Sequence, residues 1–221
     1  MKARALAEFF RLGVLKTIYQ ICSEESARTG TAPEQVLQKK LGSWYDRRIT
    51  FDTYFEGGQE FRYATLWLSG PGCQKYGAFC IVLQNLVLGR AYVRKDSLAA
   101  YFSTAGNCDF KTLSDDLATE PHRHHLAAVK HATDLPDDDR AWDRHLCNKS
   151  EYIEAILAGD PGADSVGAVM TTPAALERYH DLAFRGLTAD LSVEERAELT
   201  DVSMIEERLR TRKIRLEVAD D

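Results

Sequence analysis

Regularly spaced cysteines are missing from this 221-residue sequence, which has an odd number of them. The five cysteines include no Cys-x-x-Cys pair, so neither a disulfide framework nor a zinc ribbon is indicated. We expect most of them to be small buried hydrophobic residues of a protein in a reducing compartment.

Long apolar runs are also missing. Glu8, Arg11 and Lys16 interrupt the N-terminal hydrophobic pattern, so no signal peptide is indicated, and no stretch approaches the length of a membrane span. We therefore expect no membrane partner and a cytoplasmic location, with delivery by a dedicated secretion system left open. The net charge of −6 argues against a broad basic surface for nucleic acid.

Several common catalytic motifs are absent. The glycine-rich turn at 69–72 lacks the lysine-serine pair of a phosphate-binding loop, and its proline removes a backbone donor. No Gly-x-Ser-x-Gly elbow is present, which leaves serine hydrolase chemistry without support. Cys80 lies in an apolar run, where burial raises a thiol pKa and lowers its reactivity.

The hydrophobic fraction of 44% is enough for a substantial core, and the pattern changes from helical to extended and back to helical. Apolar residues at helical spacing predict one amphipathic helix over 2–27 and a second that ends at Gly42. Capping signals at Thr172-Pro173 and at Ser192 with Glu195 predict two helices near the C-terminus. Alternation and turn signals predict strands over 48–54, 61–68, 77–83, 86–93, 151–157 and 165–170.

This order of elements favours an α+β fold over alternating βαβ units. The first four predicted strands are joined by short turns, which predicts an antiparallel meander. We expect an N-terminal helical segment over 1–44, a β-core over 45–171 and a C-terminal helical segment over 172–221.

A histidine-rich segment offers candidate metal ligands. His122, His124 and His131 are close in sequence, and the last two lie two helical turns apart on one face. No pair has the His-Glu-x-x-His spacing, and no carboxylate is placed as a base between ligands. We therefore favour a polar, solvent-facing helix and predict no metal, and we keep a histidine-metal hydrolase as an alternative.

A second group of polar residues lies among core-forming neighbours, on or next to predicted strands: Arg48, Tyr63, Asp96, Ser97 and Glu154. In the strand predicted over 151–157, alternation places Tyr152, Glu154 and Ile156 on one face. A carboxylate on such a face is costly unless it faces a cleft or has a partner. Spacing alone does not distinguish an edge-strand glutamate in water from a catalytic one.

Four blocks of sequence resemble, in order, a family of uncharacterised bacterial proteins with an ADP-ribosyltransferase-like fold. The blocks are Arg-Ile-Thr-Phe-Asp-Thr at 48–53 before Gly57-Gly58, Arg-Tyr-Ala-Thr-Leu-Trp-Leu at 62–68, Tyr-Gly-Ala-Phe-Cys-Ile-Val-Leu at 76–83 followed by Arg90 and Asp96-Ser97-Leu98, and Tyr-Ile-Glu-Ala at 152–155 before Gly159. The usual Ser-Thr-Ser strand motif is absent, and Tyr63-Ala64-Thr65 is its nearest substitute.

The resemblance implies an antiparallel β-core of the ADP-ribosyltransferase type, with NAD as substrate. Cleavage of the nicotinamide–ribose bond passes through an oxocarbenium-like state, which a nearby carboxylate stabilises. The resemblance gives that role to Glu154 and gives the binding of the NAD pyrophosphate to Arg48. Tyr63 would stack on the nicotinamide or adenine ring, and Ser97 would hydrogen-bond a ribose or phosphate oxygen.

Tyr152 stands where many such transferases carry Glu or Gln to orient the acceptor, so it joins the predicted catalytic set. The expected acceptor is a protein, a nucleic acid or water, and a toxin, effector or defence role with an antitoxin or chaperone partner is typical of such folds. The alternative from another class is a non-catalytic interaction module on the same scaffold. It would carry an exposed apolar patch on the terminal helices.

Overall fold

The computed structural model describes residues 1–67, 70, 72–84, 89–119, 137, 152–188 and 191–219. The fold is a mixed α+β structure, which confirms the predicted class. The helices are α1 (Ala3–Leu12), α2 (Ile18–Thr29), α3 (Pro33–Leu41), α4 (Tyr45–Tyr54), α5 (Ser97–Ala100), α6 (Phe110–Asp115), α7 (Pro173–Leu187) and α8 (Val193–Arg212). The strands are β1 (Phe61–Thr65), β2 (Phe79–Leu83), β3 (Gly89–Val93), β4 (Leu117–Thr119), β5 (Glu154–Ala158), β6 (Val166–Thr171) and β7 (Arg215–Val218).

The single N-terminal helix predicted over 2–27 is wrong, because the structure has two helices there. Gly13 ends α1 in a left-handed conformation with φ of 76°. Thr17 then caps α2, and its side chain and that of Gln20 form a reciprocal capping box. The turn between the helices is also tied down from outside, since the backbone N–H of Leu15 donates to Oδ1 of Asp160 at 3.0 Å.

The strand predicted over 48–54 is also wrong, because these residues form most of α4. Arg48 therefore lies on a helix and not on a first strand. The β-branched and aromatic residues of this stretch favour a strand locally, but tertiary packing decides otherwise, with Phe51 completely buried on the helix. Gly58 lets the chain return close to α4: a Cβ there would lie 2.1 Å from the backbone oxygen of Asp52.

The strands form two sheets, and the predicted meander is wrong. One sheet has the order β1-β5-β3-β4, with antiparallel neighbours throughout. The other has the order β2-β6-β7, in which β2 and β6 are antiparallel and β6 and β7 are parallel. Short turns suggested that consecutive strands pair, but β5 comes from much later in the chain and inserts between β1 and β3.

The central position of β5 excludes the edge-strand interpretation of Glu154. Its backbone is opposite Thr65 of β1 on one side and Val93 of β3 on the other. The predicted alternation along β5 is confirmed, since Ile156 belongs to the cluster with Phe51, whereas Ile153 belongs to a different one on the opposite face.

The terminal helices pack on the second sheet and form the largest core cluster with it. Leu6 of α1, Leu182 of α7 and Ile205 of α8 are almost completely buried there against Val169 of β6. The helix starts predicted at Thr172 and Ser192 are confirmed as caps. The chain then adds the short strand β7, which the sequence did not predict. No helix in the described part of the chain is long and apolar enough to cross a bilayer.

Candidate functional site

Glu154 begins β5 and is buried, with 7% of its surface exposed. The backbone N–H of Ser97, the first residue of α5, donates to its Oε2 at 2.8 Å. The hydroxyl of Ser97 is completely buried and has no hydrogen bond of normal geometry, but it lies close enough to the carboxyl to lower its pKa. Oε1 receives no hydrogen bond from the residues that the structure describes.

The pKa of Glu154 is raised from its ordinary value of 4.5 to about 7. Burial is the largest cause, because removal from water disfavours the charged form. The negative charge of Asp96 raises the pKa further, whereas the contacts with Ser97 and the charge of Arg48 lower it. A carboxyl that titrates near neutral pH is a frequent property of catalytic acids and bases.

Asp96 fixes the position of the N–H group that binds Glu154. Its Oδ1 accepts hydrogen bonds from the backbone N–H groups of Leu98 at 3.0 Å and Ala99 at 2.9 Å, which caps α5. Because Ser97 opens this helical turn, its N–H is held in place by the same cap. Asp96 thus acts on Glu154 both through geometry and through charge.

Tyr152 contacts the second carboxylate oxygen of Asp96, the one that does not cap α5. Its hydroxyl donates to Oδ2 of Asp96 at 2.5 Å and lies 3.4 Å from the hydroxyl of Tyr76. Lys75 lies 3.9 Å from the same Oδ2 and 5.7 Å from the centre of the Tyr152 ring. Burial raises the pKa of Tyr152, so it stays a hydrogen-bond donor at neutral pH. Tyr152 is therefore linked to Glu154 through Asp96.

Arg48 and Tyr63 meet around a second buried carboxylate, Asp52. Nε of Arg48 donates to its Oδ2 at 2.6 Å, and the hydroxyls of Tyr19 and Tyr63 donate to Oδ2 and Oδ1, each at 2.8 Å. The guanidinium of Arg48 also stacks on the ring of Tyr63, 3.7 Å from its centre. Asp52 is 2% exposed and has a charged partner together with two hydroxyl donors.

The two carboxylates belong to adjacent clusters on one face of the first sheet. Tyr63 is opposite Ile156, two residues along β5 from Glu154. The charge of Arg48 lowers the pKa of Glu154, and the charge of Glu154 raises that of Tyr63, although burial is the main cause for both residues. The structure therefore brings Arg48 together with Tyr63, and Ser97 and Tyr152 together with Glu154.

An open depression of about 280 Å³ lies at the outer edge of β1, and we call it the β1-edge depression. Arg48 and Tyr63 line it on one side, and residues of the turn before α2 line it on the other. Glu154 is not part of its lining. A transferase of this type needs Arg48 and Glu154 on opposite walls of one cleft, and this depression does not form that arrangement.

Of the connecting carboxylates, Asp52 was not singled out from the sequence, and Asp96 was named beside Ser97 without a role of its own. Asp52 stands four residues after Arg48, a spacing that indicates an ion pair only on a helix. Its signal was lost because the segment was predicted as a strand. Asp96 directly precedes Ser97, and an aspartate before a short helical stretch is a usual capping signal that could have identified it.

The histidine alternative lies outside the described residues, since His122, His124 and His131 all fall within 120–136. It stays a prediction. Within the residues that the structure does describe, no group of three or more His, Cys, Asp or Glu side chains is arranged to hold a metal ion.

Comparisons with known proteins identify no relative. The chain matches no protein-family model, no curated protein and no solved structure.

Proposed function

We propose that this protein cleaves the nicotinamide–ribose bond of NAD and transfers the ADP-ribose to an acceptor or to water. The observation that carries the proposal is the state of Glu154. It is a buried carboxyl in a central strand, its pKa is about 7, and one of its oxygens receives no hydrogen bond from the described residues. A carboxylate held in this way has an oxygen left for a ribose hydroxyl.

In the proposed reaction the bond between the nicotinamide nitrogen and ribose C1′ breaks, and neutral nicotinamide leaves with the bonding electrons. Positive charge then develops on the ribose ring, and the Glu154 carboxylate stabilises it. The acceptor nucleophile adds to C1′ and releases its proton. Because the anion is the active form, the rate should rise as the pH increases through about 7.

The other predicted residues have supporting positions in this proposal. Arg48 would bind the pyrophosphate through the guanidinium nitrogens that do not contact Asp52, and Tyr63 would present its ring to a base. Ser97 holds Glu154 and so would act on the ribose through it. Tyr152 keeps Asp96 in place and would affect the orientation of the carboxyl.

The test is release of nicotinamide from NAD by wild type and by Glu154→Gln, with cell lysate as a source of acceptors. Replacing the carboxylate by a neutral amide should lower the rate by roughly a hundredfold or more. Glu206→Gln is the matched control, because it removes an exposed glutamate of α8 and should leave the rate unchanged. Equal rates for wild type and Glu154→Gln would contradict the catalytic role.

One observation favours a second candidate, a non-catalytic interaction module. Phe184 and Leu187 at the end of α7 and Val193 at the start of α8 are large apolar residues, and they are 71%, 86% and 79% exposed. Large apolar side chains that are exposed and close together in the chain favour a surface that binds another protein. If wild-type protein releases no nicotinamide with any acceptor source, this second function becomes the better supported one.

A further inference from the structure

The charged side chains that line the β1-edge depression are all cationic. Three of the side chains that line it are cationic, Lys16, Arg48 and Arg62, and none is acidic. The protein as a whole carries a net charge of −6, so the depression does not simply follow the overall composition. A concave surface lined by cations favours an anionic ligand.

The three cations differ in whether they are already neutralised. Lys16 forms ion pairs with two glutamates, one on each neighbouring helix, at 2.7 and 2.5 Å. Arg48 is paired with Asp52 at 2.6 Å. Arg62 has no carboxylate within ion-pair distance in the described part of the chain, although it is only 6% exposed. Counting the described residues alone, Arg62 is therefore the cation of the depression that lacks a counter-charge.

The guanidinium of Arg62 is held by neutral groups. Its Nε donates to the backbone oxygen of Leu15 at 2.5 Å, and its Nη1 donates to that of Glu60 at 2.8 Å. Carbonyl oxygens satisfy N–H groups but do not cancel the positive charge. Nη2 has no acceptor in the parts of the chain that are described. A buried cation without a counter-ion is costly, and a bound anion would remove that cost.

The first turn of α2 supplies neutral donors at the same place. Ile18 lines the depression, and the backbone N–H groups of Ile18 and Tyr19 have no acceptor among the described residues. The preceding turn is fixed by the bond from Leu15 to Asp160 and by the Thr17 capping box. The donors are thus arranged before any ligand arrives, which lowers the entropic cost of binding.

We propose that the β1-edge depression binds a phosphate group, with Arg62 as the charged ligand and the start of α2 as the source of backbone donors. A planar guanidinium fork and helix N-terminal N–H groups both suit a tetrahedral oxyanion. Arg62 and Tyr63 are consecutive on β1 and point to opposite faces of the sheet, so Arg62 is on the face away from Glu154. Arg48, which the proposed function assigns to the NAD pyrophosphate, lines the same depression, so the tests below include a competition with NAD.

A titration of the wild-type protein with inorganic phosphate tests the site without any substitution. In ¹⁵N-resolved NMR spectra, the amides of Ile18 and Tyr19 and the Nε–H of Arg62 should shift together and saturate with one dissociation constant. Potassium chloride at matched ionic strength should not produce these shifts. Shifts that do not saturate, or that chloride reproduces, would overturn the proposal.

Variants then test the role of the guanidinium. Arg62→Lys keeps the charge but loses the fork and should weaken phosphate binding roughly tenfold or more. Arg62→Gln should abolish the binding. Lys111→Gln is the matched control, because it removes one exposed positive charge from α6 and should leave the affinity unchanged. Equal affinity in wild type and a folded Arg62→Lys protein would refute the assignment.

A competition experiment identifies the source of the phosphate. If NAD displaces inorganic phosphate, the site accepts the pyrophosphate of the dinucleotide. If NAD does not displace it, the site serves a separate phosphate-bearing ligand. Either result supports a phosphate site, and neither depends on whether Glu154 is catalytic.

Discussion

Asp52 and Glu154 are two buried carboxylates on the same face of one sheet, and their surroundings differ sharply. Asp52 is 2% exposed and accepts hydrogen bonds from one arginine and two tyrosine hydroxyls. Glu154 is 7% exposed and accepts one from a backbone N–H, beside a serine hydroxyl and near the negative charge of Asp96. Among the described residues, the first carboxylate has a cationic partner and the second has none.

This difference indicates what each residue does. A buried carboxylate with a cationic partner and enough donors holds secondary structure together, here α2, α4 and β1. A buried carboxylate with few donors keeps a raised pKa and an oxygen for another partner. Burial alone would have grouped the two residues together, so the number and charge of their donors is the more informative quantity.

The largest effect on stability is expected for Asp52→Ala. The substitution leaves Arg48, whose side chain is 11% exposed, without its counter-charge and should lower the free energy of unfolding by about 3–5 kcal/mol. Urea unfolding at neutral pH measures this loss. Asp115→Ala removes an exposed carboxylate from an i,i+4 pair and should cost less than about 0.5 kcal/mol. A similar loss of unfolding free energy in both variants would contradict the structural role of Asp52.

Glu154→Gln should raise the free energy of unfolding, and the size of this gain should depend on pH. The folded-state pKa of Glu154 lies above its ordinary value of 4.5, so the native state favours the protonated form. That contribution is fully present below about pH 4.5 and is lost as the pH rises through about 7. Relative to wild type, Glu154→Gln should therefore gain up to about 3 kcal/mol between about pH 5 and about pH 8.

Unfolding curves of the two proteins at both pH values measure the change. The difference between them cancels the titration of the histidines, which both proteins share. If the difference does not change with pH, Glu154 does not have a raised pKa. That result would also remove the main support for the proposed function.

The smallest effects concern the pKa of Glu154 itself, and two neighbouring substitutions should move it in opposite directions. Asp96→Asn removes a negative charge but keeps a capping side chain, so the pKa should fall. Ser97→Ala removes the hydroxyl that lowers the pKa, so the pKa should rise. Carbon-detected NMR titration of the Glu154 carboxyl measures both shifts. Shifts in the same direction would mean that a change in burial outweighs both effects.

The sequence predicted the local features of the fold better than their arrangement. Thr172 and Ser192 were identified as helix starts, because capping depends on a few adjacent residues. The strand that carries Glu154 and the alternation along it were also identified. Arg48 was placed on a strand, since aromatic and β-branched residues around it favour that conformation locally. Its helix depends on the burial of Phe51 against distant residues.

The candidate site shows the same difference between residues that were predicted and contacts that were not. Arg48, Tyr63, Ser97, Tyr152 and Glu154 were all named from the sequence, and the structure places them in two adjacent clusters. The residues that connect them, Asp52 and Asp96, had no assigned role, and neither had Arg62, which forms no ion pair with the residues that the structure describes. Their importance depends on which partners they meet across the fold, and a single sequence does not contain that information.

The sequence by itself determined the α+β class, the helix caps and the presence of a carboxylate in a strand with apolar neighbours, because each follows from residues close together in the chain. Only the tertiary structure decided that this strand is central and that Asp52 has a cationic partner, whereas Glu154 and Arg62 meet no counter-charge among the described residues. Pairing between distant strands and the burial of charge depend on contacts between segments far apart in sequence, and these contacts also determine the pKa of Glu154.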